Sequence, residues 1–152
     1  NNIYNIVAEN IKLLKEIDST INFEILSSNK EIYLNSDNEQ LNRVFLNLIK
    51  NSIESIQQKA ENTSDFVKKI TIEINDAGDH ISIVIIDNGI GFDILKKNIK
   101  DILNPYFTTK KNGTGLGLSI VNKIINDHNG KIYFIPVNNG AKVEINFFLN
   151  DS

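Results

Sequence analysis

Two alternating segments joined by a short polar turn constrain the fold of this chain most strongly. Residues 69–75 place isoleucine at every second position, and residues 80–87 begin with the same alternation before becoming fully apolar at 83–86. A period of two is typical of strands that bury one face. The intervening Asp76-Ala77-Gly78-Asp79 contains the residue types of a tight turn. The sequence therefore predicts a β-hairpin over residues 69–87.

Apolar residues spaced three and four positions apart mark the helices of this chain. Such spacing places the apolar side chains on one face of a helix, which can then pack on another element. Ser36 or Asp37 can cap the second helix, and Asn129-Gly130 is a typical C-terminal signal for the last one. The predicted helices cover residues 1–18, 36–60 and 115–128, with a weaker, partly helical pattern over 92–103.

Shorter apolar segments complete a predicted α+β fold. Strands are expected at residues 21–25, 31–34, 131–137 and 142–149, the last two joined by Asn138-Asn139-Gly140. The order of strands, helix, hairpin, loop, helix and hairpin predicts a two-layer α/β sandwich, with helices on one face of a mixed or antiparallel sheet. At 152 residues, the chain has the length of one domain.

The composition argues against several classes of function. A net charge of −3 and a pI near 5.4 give no electrostatic basis for binding nucleic acid or an anionic membrane. Without cysteine there is no disulfide framework and no thiolate zinc site, and two histidines are too few for a histidine-rich site. No apolar run approaches the roughly 18 residues of a membrane span. Because the chain has no methionine, we expect it to be part of a longer protein.

Residues 112–119 combine glycine at alternate positions with the start of a predicted helix, in the order Asn-Gly-Thr-Gly-Leu-Gly-Leu-Ser. Free backbone N–H groups at a helix N-terminus favour an anion such as phosphate. The spacing fails the G-x-G-x-x-G fingerprint, because its third position is Leu118, and it lacks the Gly-Lys-Ser/Thr of a Walker loop. Two interpretations stay open at this point: a flexible hinge and a phosphate-binding loop.

Two amides lie one helical turn apart in the second predicted helix. Asn47 and Asn51 share a face and have apolar neighbours, and buried amides need hydrogen-bond partners. They can bond to a loop, or their carbonyl oxygens can coordinate Mg²⁺, which takes oxygen ligands and shares them with phosphates.

Two further motifs can serve either structure or binding. In Asp87-Asn88-Gly89-Ile90-Gly91, the carboxylate can cap the next turn, or it can accept a hydrogen bond from an exocyclic amine while the glycines let a flat ring lie against the backbone. Residues 105–111 are Pro-Tyr-Phe-Thr-Thr-Lys-Lys. This segment is either a proline-initiated turn with solvated lysines or an aromatic-anchored loop whose Lys110 or Lys111 neutralises phosphate.

The order of these motifs resembles the N, G1, F and G2 boxes of sensor histidine kinases, which belong to the GHKL superfamily. The boxes are Asn47-x-x-x-Asn51, Asp87-x-Gly89-x-Gly91, Pro105-Tyr106-Phe107-Thr108-Thr109-Lys110 and Gly113-x-Gly115-x-Gly117-Leu118. The resemblance spans about residues 21–149, and the N and F boxes are most similar to nitrogen-regulation sensors of the NtrB/NtrY type. It implies the Bergerat ATP-binding fold, a mixed sheet backed by three helices with ATP held under a flexible lid.

The resemblance also implies roles for individual residues in binding ATP and Mg²⁺. Asn51 is expected to bind Mg²⁺, and Asn47 to hold the phosphates or the metal as a catalytic residue. Asp87 is expected to accept a hydrogen bond from the adenine amine, with Gly89 and Gly91 lining the base. The other expected nucleotide-binding residues are Lys110, a lid cation with a catalytic role, and Phe107, Thr108, Gly113, Thr114, Gly115, Leu116, Gly117 and Leu118.

A multidomain protein-histidine kinase is the enzyme that the resemblance implies. The family's phosphoacceptor histidine lies in a separate helical domain and is followed by an acidic residue, whereas neither His80 nor His128 is. We therefore expect residues 1–20 to be the helical tail of that dimerisation domain or a linker, and residues 21–152 to be the catalytic domain. The implied partners are ATP or ADP, the dimerisation domain and, through the parent protein, a response regulator. Nucleic acid and direct membrane contact are not expected, and the domain is expected in the cytoplasm, in a parent that the inner membrane can anchor.

Related classes differ from this expectation at one position. Gyrase- and MutL-type ATPases place a glutamate base four residues before the metal-binding asparagine, where this chain has Asn47, so the resemblance favours transfer to a protein side chain over hydrolysis. The alternatives are an anti-sigma-factor-type serine kinase, a GHKL ATPase and a non-enzymatic nucleotide-binding module. Many relatives also carry a hydroxyl residue near adenine in the last hairpin, where this chain has Gly140-Ala141-Lys142.

Overall fold

The computed structural model describes residues 1–91, 116–135 and 137–149, which form a five-stranded mixed sheet covered by helices. In chain order the elements are α1 (Ile3–Leu14), β1 (Asn22–Ser27), α2 (Asn38–Asn62), β2 (Lys69–Asp76), β3 (His80–Asp87), α3 (Leu116–Asp127), β4 (Gly130–Ile135) and β5 (Ala141–Phe148). The strand order is β1-β2-β3-β5-β4. β1 runs parallel to β2, and every other neighbouring pair is antiparallel.

The hairpin of β2 and β3 forms as its alternation predicts. Ile72 pairs with Ile85 near its centre, and both side chains are at most 1% exposed. β3 lies between β2 and β5, so its backbone is hydrogen-bonded along both edges. Val84 points to the opposite face from Ile85 and is also buried, which accounts for the continuous apolar run over residues 83–86.

α2 begins where its capping residue predicts. The Asp37 side chain accepts a hydrogen bond from the Gln40 backbone N–H at 3.1 Å, and the helix continues to Asn62, slightly beyond the predicted end at residue 60. Its buried residues are Leu41, Val44, Phe45, Leu48, Ile49, Ser52, Ile53 and Ile56. Because these residues are spaced three and four positions apart, they lie on one face of α2, and this face packs into the same apolar core as the inner face of the sheet.

α1 packs against α2 and contributes to this core. The Asn10 side chain is 5% exposed and donates hydrogen bonds to the Asn42 side chain at 2.7 Å and to the Ile6 carbonyl at 2.8 Å. The helix ends at Leu14, earlier than the predicted end at residue 18. The predicted domain boundary after residue 20 stays a prediction.

The strand predicted at residues 31–34 is wrong. Tyr33 forms one isolated bridge with Asn2, and the Ile32 carbonyl and the Leu34 N–H bond to the N-terminal residues of the chain. The alternation arises because Ile32 and Leu34 bury their side chains in the core while Tyr33 stays exposed. Periodic burial therefore occurred here without a strand ladder.

One imidazole joins the end of α3 to the start of α2. His128 follows α3, and its Nδ1 lies 2.8 Å from the Ile124 carbonyl oxygen. Its Nε2 accepts a hydrogen bond from the Asp37 backbone N–H at 3.1 Å. The ring also meets Phe147 edge-on, with 6.5 Å between the ring centroids. These contacts hold the two helix ends together on the inner face of β5.

The predicted α+β fold, with a mixed sheet and three helices in the part of the chain that is described, is confirmed. The weak helix predicted at 92–103 and the turn or loop predicted at 105–111 lie outside the described residues. Across 1–91, 116–135 and 137–149, no helix combines the length and the apolar content needed to cross a membrane.

Candidate functional site

Three polar side chains form a row along one side of α2. Asn47 and Asn51 lie on successive turns, and Ser55 follows one turn later. All three are partly buried, between the apolar face of the helix and its solvated face. The predicted pair of amides is therefore confirmed as a pair on one helix face, and the row continues to a hydroxyl that the sequence analysis did not single out.

The turn after β3 lies directly against this row. The Ile90 N–H donates to the Ser55 carbonyl at 3.3 Å, and the Gly91 N–H donates to Ser55 Oγ at 3.4 Å. A Cβ atom built on Gly89 would lie only 2.5 Å from the Ser55 carbonyl carbon and 2.7 Å from the Ile56 nitrogen. Only glycine permits this approach of backbone to backbone. The turn is thus seated on α2, one helical turn from Asn51.

Asp87 ends β3 at the base of the same turn. Asp87 is 5% exposed, and its Oδ1 accepts a hydrogen bond from the Gly89 N–H at 2.9 Å. A buried carboxylate needs such donors, because burial without them is costly. The capping interpretation is therefore correct for Oδ1, and it is compatible with recognition of an amine by the same carboxylate.

Asn88 ties the turn to the start of β2. Its Oδ1 accepts from the Lys69 N–H at 3.0 Å, and its Nδ2 donates to the Val67 carbonyl at 2.6 Å. The Asn88 N–H donates to the Lys69 carbonyl at 3.3 Å. The turn is therefore held on the strand side by Asn88 and on the helix side by Ser55.

The hairpin of β4 and β5 closes the third side of the turn. Ala141 pairs with Asp87 in the sheet, and a Cβ atom on Gly140 would lie 3.0 Å from the Asp87 carbonyl carbon and would overlap its oxygen. Gly91 has a φ of +78°, and a Cβ atom there would overlap the Gly140 carbonyl oxygen. The segment Gly140-Ala141 thus adjoins the turn that bears Asp87.

Comparison with known proteins identifies the family. Residues 36–151 match the family described as histidine kinase-, DNA gyrase B-, and HSP90-like ATPase. The chain belongs to this family. Its catalytic-domain structure is similar to the nucleotide-free catalytic domain of histidine kinase ThkA, with a TM-score of 0.81 and 30% identity over 97% of this chain and 93% of that one.

Curated relatives of this histidine kinase-like ATPase domain are larger sensor kinases. AtoS of Escherichia coli is 38% identical over 65% of this chain and 15% of its own length. An NtrY-like sensor kinase of Rickettsia conorii is 30% identical over 93% of this chain and 22% of its own length. The chain thus spans about a fifth of these relatives or less. The predicted kinase family is confirmed, and the NtrY-like protein is one of several similar kinases.

The remaining predicted site residues, within 107–118, fall only partly inside the described ranges. Phe107, Thr108, Lys110, Gly113, Thr114 and Gly115 lie outside the described residues. Leu116 and Gly117 begin α3, and Leu118 is partly buried against the core. Because α3 packs on α2, the start of this helix belongs to the same layer as Asn47 and Asn51.

The donor set of the family domain fits a metal that is shared with phosphates. In the described ranges, no group of three or more histidine, cysteine or acidic residues could hold an ion by itself. Mg²⁺ commonly takes one or two protein oxygens together with phosphates and water. The amide oxygens of Asn47 and Asn51 have the chemistry that this mode of binding requires. The residues present therefore fit Mg²⁺ as a partner of a bound nucleotide.

Sequence reasoning missed Ser55 as a neighbour of the candidate site, and it named Gly140 only through the resemblance, without its close approach to Asp87. Ser55 is four residues beyond Asn51, and this helical spacing was a signal that could have found it. Gly140 lies in a predicted turn, and its approach to Asp87 depends on how the last hairpin pairs with β3. Such a long-range register has no local signature.

Proposed function

We propose that this domain binds MgATP and supplies its γ-phosphoryl group to a histidine in another domain of a longer sensor kinase. The observation that carries the proposal is the seating of the Asp87–Gly91 turn on α2, because it joins a buried carboxylate to the row of Asn47 and Asn51. A base-recognition group and a phosphate-recognition group are thereby held on one rigid scaffold. Membership of the histidine kinase-like ATPase family supports this assignment.

In this proposal each end of the site has its own task. The Asp87 carboxylate accepts a hydrogen bond from the adenine amine, and Gly89 and Gly91 leave the backbone open to a flat ring. The amide oxygen of Asn51 holds Mg²⁺, and Asn47 orients the phosphates or shares the metal. When bound, Mg²⁺ neutralises phosphate charge during transfer.

Asn47 also bears on the reaction type. A carboxamide does not accept a proton from water at neutral pH, so Asn47 cannot serve as the base of a hydrolytic ATPase. Phosphoryl transfer needs mostly positioning and charge neutralisation, which amides and backbone groups can supply. The proposal therefore assigns transfer to a protein side chain, with Lys110 and residues 107–118 covering the phosphates as the sequence resemblance implies.

The partners proposed for the parent protein follow from its relatives. ThkA has been solved in complex with the response regulator TrrA, and its kinase chain has a TM-score of 0.76 and 27% identity over 97% of this chain and 40% of that one. By analogy we propose that the parent phosphorylates its own dimerisation domain and then serves a response regulator. We also propose a cytoplasmic position for this domain, in a parent that a membrane can anchor.

Calorimetric titration of the 152-residue chain with ADP and with Mg²⁺ plus ADP tests the nucleotide site. Asp87→Asn should weaken ADP binding at least about tenfold, because a hydrogen bond to a charged group contributes roughly 1.5–3 kcal/mol. Asp65→Asn is the matched control, since Asp65 is exposed and lies in the loop between α2 and β2. Unchanged ADP affinity in Asp87→Asn would remove the adenine-reading role.

Mixing this chain with the dimerisation fragment of its parent tests the reaction. With ATP and Mg²⁺, we expect an acid-labile phosphohistidine on that fragment. Acid-stable phosphoserine would instead indicate the anti-sigma-factor type of kinase, and release of inorganic phosphate by the chain alone would indicate an ATPase.

A further inference from the structure

We propose that Ser55 is a positioning residue for adenine recognition, which holds the Asp87–Gly91 turn on α2 and so sets the direction of the Asp87 carboxylate. This inference rests on the proposed function, in which Asp87 reads the adenine amine. It adds a hydroxyl that neither the sequence motifs nor the family boxes assign. The claim concerns position, since Ser55 acts on Asp87 through the turn.

Ser55 accepts two backbone donors from adjacent residues of the turn. Its carbonyl accepts from the Ile90 N–H at 3.3 Å, and its Oγ accepts from the Gly91 N–H at 3.4 Å. Both bonds are at the long end of the usual range, so each one alone is weak. Together they fix two consecutive peptide groups relative to α2, which limits rotation of the turn about the helix.

The short side chain of Ser55 leaves room for Gly89 to lie directly against α2. A Cβ atom on Gly89 would overlap Ser55 Oγ and would lie 2.5 Å from the Ser55 carbonyl carbon. The turn thus meets both the backbone and the side chain of one helical residue. An alanine at position 55 would preserve this packing and would remove only the acceptor of the Gly91 N–H.

The Asp87 carboxylate is connected to Ser55 through Gly89. Asp87 Oδ1 accepts from the Gly89 N–H at 2.9 Å, so the position of the Gly89 peptide sets the position of that oxygen. Gly89 is in turn pressed against Ser55, and the next two residues are bonded to it. Loosening the turn from α2 should therefore move the carboxylate, while Asn88 still anchors the turn to Lys69.

A change in carboxylate direction has a specific chemical signature. Recognition of the adenine amine requires an acceptor at a defined position, whereas contacts to ribose and phosphates do not involve Asp87. Ligands that lack the amine should therefore be insensitive to Ser55. A site that is built for one hydrogen bond discriminates against an analogue that cannot make it.

The experiment compares two nucleotides that differ only in the amine. We would titrate the 152-residue chain and its Ser55→Ala variant with ADP and with purine riboside 5′-diphosphate, each with Mg²⁺, by calorimetry. Ser82→Ala is the matched control, because Ser82 lies on β3 with its side chain on the face opposite Ile83 and Ile85. Hydrogen exchange of the Gly91 amide, followed by NMR, reports directly on the bond to Ser55 Oγ.

We expect Ser55→Ala to weaken ADP binding about fivefold, because a displaced carboxylate loses part of its hydrogen bond to the adenine amine, and to leave the affinity for purine riboside diphosphate within twofold. Exchange of the Gly91 amide should be faster in Ser55→Ala, and Ser82→Ala should match the parent chain. Alanine favours helix more than serine does, so α2 should persist. Equal weakening of both ligands, or no change in either, would overturn the positioning role. A parent chain that binds both diphosphates equally would overturn adenine reading by Asp87, and Ser55's role with it.

Discussion

Replacing Asp18 by asparagine should destabilise the fold through one cluster between α1 and β2. The Asp18 side chain is 10% exposed, and its Oδ2 lies 2.9 Å from Lys68 Nζ. Its Oδ1 accepts hydrogen bonds from the hydroxyl and the N–H of Thr20. Lys68 Nζ also lies 2.9 Å from Thr20 Oγ1, so the three side chains form a closed group.

The pKa of Asp18 provides the magnitude of this effect. The pKa of Asp18 is lowered from 3.8 to about 2. The hydrogen bond from the Thr20 hydroxyl is the largest cause, and the Lys68 ammonium adds to it against the opposing effect of burial. The difference, 3.8 − 2 = 1.8, corresponds to about 2.4 kcal/mol at roughly 1.36 kcal/mol per unit. Because the folded-state pKa is the lower one, this stabilisation is present above pH 3.8 and is lost as the pH falls toward 2.

Urea unfolding of the parent chain and of Asp18→Asn at pH 7 and pH 3 measures the difference. We expect a cost of about 2.4 kcal/mol at pH 7 and of about 1.3 kcal/mol at pH 3, where protonation of Asp18 has removed roughly half of the stabilisation. Asp65→Asn, at an exposed site, should change the free energy of unfolding by less than about 0.5 kcal/mol at both values. A cost in Asp18→Asn below that of the control, or one that is the same at both pH values, would refute the reasoning. A loss of the expected size would also indicate that residues 1–20 unfold together with the rest of the domain.

The remaining predictions concern the site. Gly89→Ala should abolish measurable ADP binding in calorimetry and lower Tm, because its Cβ atom would lie 2.5 Å from the Ser55 carbonyl carbon. Gly78→Ala is the control, since a Cβ atom there meets nothing within 4 Å; it should cost only about 1 kcal/mol of backbone strain and keep the ADP affinity. Equal affinities of the two variants would contradict the close packing of the turn on α2. Asn51→Ala should remove the increase in ADP affinity that Mg²⁺ produces, whereas Asn62→Ala, at the end of α2, should keep it. A full Mg²⁺ effect in Asn51→Ala would remove Asn51 as a metal ligand.

Local patterns predicted those parts of the fold whose structure is determined within a few residues. The alternation of isoleucines predicted β2 and β3, and Asp37 marked the start of α2. The strand predicted around Tyr33 failed for a physical reason: alternation reports which side chains are buried, and Ile32 and Leu34 are buried beside the N-terminal residues instead of in a sheet.

The sequence predicted candidate site residues where chemistry requires a residue type at a fixed spacing, as for Asn47, Asn51 and Asp87, and the functional roles of these residues stay predictions. The site was not predictable where close packing decides, as for Ser55, whose bonds to the turn depend on how β3 meets α2. The approach of Gly140 to Asp87 likewise follows from the pairing of β3 with β5, which are more than fifty residues apart along the chain.

The His128 imidazole, which joins the start of α2 to the end of α3, can be used to observe this domain in solution by NMR. With Nδ1 facing the Ile124 carbonyl and Nε2 facing the Asp37 N–H, both contacts are hydrogen bonds in the tautomer that carries its hydrogen on Nδ1 and leaves Nε2 as an acceptor. The chain has only two histidines, so the ring-nitrogen resonances of His128 can be distinguished by replacing His80. The tautomer of His128 is therefore a native spectroscopic label for the spacing between the helix that bears Asn51 and the helix that begins at Leu116.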